Sequence, residues 1–182
     1  MTHALIVGSR GVGKSTLIRR LLQELDRPVC GFETKKETAP ADDALGSPTY
    51  IYPVGEPRRR TEENLLGRCK AGRFDTRPGA FDRFAPVLLR PVPAGAVLLF
   101  DELGFMESRE KAFCDAVLSR LDGDTLVIAA VKDKDLPFLE AVRSHPKCRC
   151  FHITRENRDA LYDEVLRFVR EQLGGCPDRR GE

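Results

Sequence analysis

The sequence lacks a C-x-x-C pair, an H-E-x-x-H segment, an apolar run of bilayer length and any marked excess of charge. Each absence removes a class of protein. Cys30, Cys69, Cys114, Cys148, Cys150 and Cys176 are spaced neither as a zinc ribbon nor as a thioredoxin-type motif. They read as structural thiols in a reducing, cytoplasmic setting, with Cys148 and Cys150 on one face of a strand. His3, His145 and His152 have no metal-ligand spacing and read as structural or surface residues. A formal net charge of +2 gives no global attraction for nucleic acid or an anionic membrane. No basic segment followed by a long apolar one precedes the first strand, so no secretory leader is expected. No membrane span is expected either.

There is also no internal repeat, low-complexity tract or linker. With 182 residues, the chain is expected to be one domain over residues 1–173, with a flexible tail at 174–182. The charge balance permits a monomer, and no nucleic-acid or membrane partner is expected.

What is present is an alternation of short apolar runs and amphipathic segments. Residues 4–7 form a continuous apolar run, as in a strand buried on both faces. Residues 14–25 carry Leu17, Ile18, Leu21, Leu22 and Leu25 at helical spacing. Strands are expected at 29–34, 50–52, 96–100, 125–131 and 150–153, with a short one at Phe74. Helices are expected at 78–89 with Pro in the first turn, at 107–121, after Asp135 as a cap, and after Thr154 as a cap. Residues 35–48 read as a loop. This alternation predicts an α/β sandwich with a largely parallel central sheet.

Gly8-Ser9-Arg10-Gly11-Val12-Gly13-Lys14-Ser15 fits G-x-x-x-x-G-K-[ST] at every fixed position. A buried strand precedes it and an amphipathic helix follows. Glycines let successive N–H groups turn around phosphate oxygens, and the helix N-terminus adds unpaired donors. The pattern implies that Gly8, Ser9, Arg10, Gly11, Val12, Gly13, Lys14, Ser15 and Thr16 form a phosphate-binding loop for a nucleoside triphosphate. In it, Lys14 reaches the β- and γ-phosphates and Ser15 ligates Mg²⁺. The direction of the Arg10 side chain is left open.

The apolar run 96–100 ends in Asp101-Glu102. An acid at the carboxyl end of a parallel strand lies on the ligand edge of the sheet. Asp101 is therefore the second candidate Mg²⁺ ligand, through water, and Glu102 the candidate that accepts a proton from or orients an attacking water. Asp101-Glu102-Leu103-Gly104 also matches D-x-x-G of guanine-nucleotide switches. Val131-Lys132-Asp133-Lys134-Asp135, however, lacks the Asn or Thr of N-K-x-D in register, which argues against such a switch.

Three segments together resemble the cancer-related nucleoside-triphosphatase family: the phosphate loop, Asp101-Glu102-Leu103-Gly104-Phe105-Met106-Glu107, and Ile153-Thr154-Arg155-Glu156-Asn157-Arg158. Gly31-Phe32-Glu33-Thr34 resembles the family's G-F-x-T. The resemblance implies a P-loop NTPase three-layer sandwich of the RecA-like or adenylate-kinase-like kind. It also implies slow, Mg²⁺-dependent hydrolysis of ATP, GTP and other nucleoside triphosphates to diphosphate and phosphate. Two rival readings use the same loop: a kinase passing the γ-phosphate to a small acceptor, and a nucleotide-dependent partner-binding module. Arg58-Arg59-Arg60 reads as a solvated basic turn, with an arginine finger as the alternative. Arg155, Asn157 and Arg158 are candidates to pack against the base. Glu107 reads either as a helix-start charge or as a partner supporting the site.

Overall fold

The structure, a computed structural model, describes residues 1–38 and 45–174. Cys176, the tail beyond residue 174 and the centre of the expected 35–48 loop lie outside the described residues. The elements in chain order are β1 (His3–Gly8), α1 (Lys14–Leu25), β2 (Val29–Lys36), β3 (Ser47–Pro53), β4 (Leu65–Lys70), β5 (Arg73–Thr76), α2 (Ala80–Leu88), β6 (Val97–Leu103), α3 (Lys111–Asp122), β7 (Val127–Lys132), α4 (Pro137–Arg143), β8 (Cys148–His152) and α5 (Arg158–Gln172).

One sheet of eight strands runs in the order β5-β4-β3-β2-β6-β7-β1-β8. Strands β2, β6, β7, β1 and β8 are parallel neighbours. Strands β3, β4 and β5 extend the sheet antiparallel beyond β2. The expected α/β architecture is what the chain adopts, and the antiparallel extension is the part that apolar patterning did not announce.

The three layers follow from period-two alternation. In β1, Leu5 and Val7 face a core shared with α2, α3 and α4, while Ala4 and Ile6 face a core shared with α1 and α5. The first core is aromatic: Phe32 stacks on Phe100 with ring centroids 5.4 Å apart and meets Phe113 edge-on at 5.3 Å. The second takes the Leu17, Ile18 and Leu21 stripe of α1 against Val165 and Val169 of α5. The parallel strands are thereby covered on both faces, as such strands require.

Several boundaries differ from expectation for local reasons. Helix α2 starts after Gly79, which takes a left-handed conformation as its N-cap, so Pro78 lies before the helix. Helix α3 begins only at Lys111, because residues 104–110 form a loop pinned by Glu107. Leu136 rather than Asp135 is the N-cap of α4, with Pro137 in the first turn. Helix α5 starts after Asn157, and the Thr154 hydroxyl instead accepts hydrogen bonds from the Glu156 and Asn157 amides in the preceding turn. Strand β4 adds to the expected strands; its Leu65-Leu66-Gly67 run is short and followed by charge, so apolar patterning does not announce it.

Gly31 shows how closely two strands are drawn together at the ligand edge. Its φ is +106°, and a Cβ there would meet the Leu99 carbonyl oxygen of β6 at 2.1 Å. Gly31→Ala is expected to destabilise the fold by at least about 2 kcal/mol, from left-handed strain plus the clash. Urea unfolding reads this directly, and a midpoint equal to wild type would show that β2 and β6 accommodate the methyl group.

Candidate active site

The carboxyl ends of β1, β6 and β7 point to one edge, and the loops leaving them make the site. Strand β1 runs into the turn 9–13, where Gly11 and Gly13 have φ of 79° and 110°, values that disfavour any side chain. No side chain caps α1, and its first turn holds no acidic residue. Its first amides are therefore free to meet an anion, and the helix dipole reinforces them. A cavity of about 320 Å³ opens there, lined by Arg10, Gly11, Gly13, Lys14, Ser15, Thr16 and Glu102. Gly8 and Ser9 face it indirectly, through carbonyls that hold Lys14. The Val12 side chain instead packs in the core with Leu17 and Ile153, so only its backbone is available to a ligand.

Lys14 is almost fully enclosed. Its Nζ donates to the carbonyls of Gly8 at 2.7 Å and Ser9 at 2.8 Å, and lies 2.8 Å from Glu102 Oε1. The other carboxylate oxygen of Glu102 is 3.5 Å from Lys132 Nζ. Local strand geometry turns Glu102 this way: Asp101 pairs with Ala130 and Leu103 with Val131, which leaves Glu102 as an extra residue in a bulge. Lys132 closes β7 at the same edge; the rule that singles out Asp101 applies equally to it, whereas the N-K-x-D pattern gives no signal for this role.

Asp101 sits beside the start of α1, where Ser15 Oγ donates to its Oδ1 at 2.9 Å. Burial raises its pKa above the ordinary value, against the pull of the Ser15 hydrogen bond and of Lys35, with Glu102 and Glu33 adding repulsion. A hydroxyl and a desolvated carboxylate are the hard oxygen donors that suit Mg²⁺, and a cation there would relieve the cost of keeping that charge. These two residues therefore fit a divalent ion.

Neighbouring residues divide into those near the site and those engaged elsewhere. Glu33 pairs in register with Asp101 across β2 and β6 and holds the Arg58 side chain, with Nε donating to Oε1 at 2.7 Å. Arg60 is paired with Glu37 at 2.7 Å. The basic turn is thus exposed, as expected, and its outer residues are latched by carboxylates on and beyond β2. Asn157 is used structurally, donating to the His152 carbonyl and accepting from the Thr154 amide. Arg155 is exposed, and Arg158 lines a cavity beside Thr16. His3 is buried between Leu121 and Val127, a structural role. Burial raises the thiols of Cys114 and Cys148 to about 12, which fits the structural reading of the cysteines. A larger cavity, about 470 Å³ beside Tyr52 and Phe84, shares no residue with the phosphate loop.

A strand–loop–helix phosphate cradle facing two acids at the edge of a parallel sheet defines a P-loop nucleotide-binding protein. A family model described as NTPase matches residues 3–166, and the chain belongs to that family. It is therefore an NTPase-type hydrolase. It is 28% identical to the cancer-related nucleoside-triphosphatase homolog of Mus musculus, over 92% of this chain and 96% of that protein. It is 26% identical to nucleoside-triphosphatase THEP1 of Aquifex aeolicus, over 91% and 97%. The crystal structure of THEP1 from that organism superposes with a TM-score of 0.69 at 23% identity, covering 93% of this chain and 99% of that one. The solution structure of a human cancer-related nucleoside triphosphatase superposes with a TM-score of 0.64 at 25% identity, covering 94% and 98%.

Glu107 supports the loop that follows the two acids. It is fully buried, its Oε1 accepts from the Gly104 amide, and its Oε2 has no hydrogen-bond partner. Burial pushes its carboxyl from 4.5 up to about 7, although the Gly104 bond and Lys132 pull the other way. In the unfolded chain the group ionises in the ordinary range, so unfolding releases a proton between about pH 4.5 and 7. Its contribution is full below about 4.5 and is lost as pH rises to about 7, by roughly 3 kcal/mol. Glu107→Gln is expected to flatten that part of the stability–pH profile in urea titrations and to exceed wild type in stability above pH 7. An unchanged slope in the variant would remove Glu107 as its source.

Proposed function

We propose that the chain hydrolyses nucleoside 5′-triphosphates in a Mg²⁺-dependent reaction with broad base tolerance. The observation that carries this reading is the pairing of Lys14 Nζ with Glu102 Oε1 at 2.8 Å inside the phosphate loop. The cation that would bind the γ-phosphate and the carboxylate that would serve water are within one hydrogen bond of each other.

The loop amides and Lys14 bind the β- and γ-phosphates and hold them against the start of α1. The phosphate oxygens take over Lys14, which releases one oxygen of Glu102 toward the γ-phosphorus. Glu102, still near Lys132, orients a water molecule and takes its proton. The water oxygen bonds to the γ-phosphorus, the bridging bond to the β-phosphate breaks, and the diphosphate leaves with the electron pair. Ser15 and Asp101 would hold Mg²⁺, which supplies charge neutralisation on the phosphate oxygens. Lys14 stabilises the charge developing on the transferred group.

Phosphate release from ATP, GTP, CTP and UTP, with Mg²⁺ and after its chelation, tests the reading. Lys14→Ala and Glu102→Gln are each expected to lower release by about a hundredfold or more. Glu102→Gln should bind nucleotide a few-fold more tightly, because it removes the carboxylate that competes for Lys14. Undiminished turnover by Glu102→Gln would exclude this residue as the base. Phosphorylation of an added acceptor instead of phosphate release would move the assignment to a kinase.

A further inference from the structure

The phosphate cavity does not end at the phosphates. It shares Gly13 and Thr16 with a second cavity of about 300 Å³ between α1 and α5. The Leu17 side chain, buried in the core beneath, closes its floor. One wall is a stacked pair from the two helices, with the Arg20 guanidinium 3.7 Å from the centroid of the Tyr162 ring. Tyr162 is buried, 5% exposed, whereas Arg20 is exposed, so the ring supports the guanidinium and the guanidinium presents a flat surface. Arg158 and Asp159 reach the same cavity from the first turn of α5.

We propose that this second cavity receives the nucleoside half of the substrate, with the base lying on the Arg20–Tyr162 stack. The inference rests on the reading of the phosphate loop as a triphosphate site. A triphosphate seated on the amides of the loop would direct its sugar and base outward past Thr16, which lines both cavities. The larger cavity near Tyr52 shares no lining residue with the phosphate cavity, whereas the cavity between α1 and α5 shares two.

The chemistry of this wall sets the breadth of recognition. A planar cation backed by a ring accepts any base, because every base has a π-face. Selectivity then falls to the rim, where Arg158 offers donors and Asp159 acceptors, with Arg158 Nε and Asp159 Oδ1 3.9 Å apart. Both signs of polar base edge thus find a partner, so neither purines nor pyrimidines are rejected. Arg20 is a binding residue for the nucleoside that does not discriminate among bases, and it takes no part in the chemistry at the γ-phosphate.

Calorimetric binding of the β,γ-imido analogues of ATP and GTP, beside inorganic tripolyphosphate, all with Mg²⁺, separates the two halves of the site. The proteins to compare are wild type, Arg20→Ala, Arg20→Lys and Arg19→Ala, the last an exposed residue of the same helix that does not line the cavity. Arg20→Ala is expected to raise the Kd of both nucleotide analogues about tenfold. The Kd of tripolyphosphate should move by less than about twofold, and Arg20→Lys should fail to restore nucleotide affinity, since it keeps the charge and loses the plane. Arg19→Ala should behave as wild type. Unchanged nucleotide affinity in Arg20→Ala would overturn the proposal. So would a parallel loss for tripolyphosphate with rescue by Arg20→Lys, which would make Arg20 a phosphate-directed charge. If wild type binds neither nucleotide nor tripolyphosphate, the triphosphate reading itself fails, an outcome distinct from the other two.

Discussion

A lysine ammonium with only 5% of its side chain exposed has to be satisfied by something, and much of the site is organised around that requirement. Two backbone carbonyls of the phosphate loop and one carboxylate of β6 surround Lys14. Breaking such a set by removing one member leaves a buried charge uncompensated, which costs more than the pairing itself contributes. The same condition makes the site responsive to an anion. On the proposed function, a polyphosphate would bring more negative charge than Glu102 and would be met by the first amides of α1 as well. Binding would then exchange one partner of Lys14 for another and leave the lysine buried and paired.

Holding that arrangement depends on strands that are distant in sequence. Strand β7 lies between β1 and β6, so the phosphate loop and the two acids face each other across one strand's width. Lys132, at the end of β7, fills the gap and neutralises the second oxygen of Glu102. The Gly31 backbone packs against β6 closely enough to bring Glu33 into register with Asp101. The loop 104–110 is tied back by the buried Glu107, whose carboxyl accepts from the Gly104 amide. With its pKa raised to about 7 by burial, Glu107 is only partly ionised at neutral pH and anchors the loop without adding a full negative charge behind Glu102.

The legible parts of the sequence were those in which local chemistry and tertiary role coincide. Helix α1 was readable to the residue because its apolar stripe begins where the glycine turn ends. Strands β1, β6 and β7 were readable because strands buried on both faces are continuous apolar runs. The antiparallel extension was harder: β4 and β5 are partly exposed, short and charged, and owe their existence to pairing with β3. Helix starts at α3 and α5 were misjudged because Glu107 and Thr154 are used in the loops before the helices, for contacts that no periodicity encodes.

By itself, the sequence determined the phosphate loop, the acid pair at the end of an apolar strand, and the α/β class, because glycine conformations, helix-terminal donors and burial periodicity are properties of neighbouring residues. Tertiary structure decided which distant groups meet: Lys14 with Glu102, Ser15 with Asp101, Lys132 beside Glu102, and Arg20 over Tyr162. Those pairings depend on strand order, on a bulge at one residue and on the packing of α1 against α5. Such relations join residues up to about 140 positions apart, and they arise only when both cores are buried together.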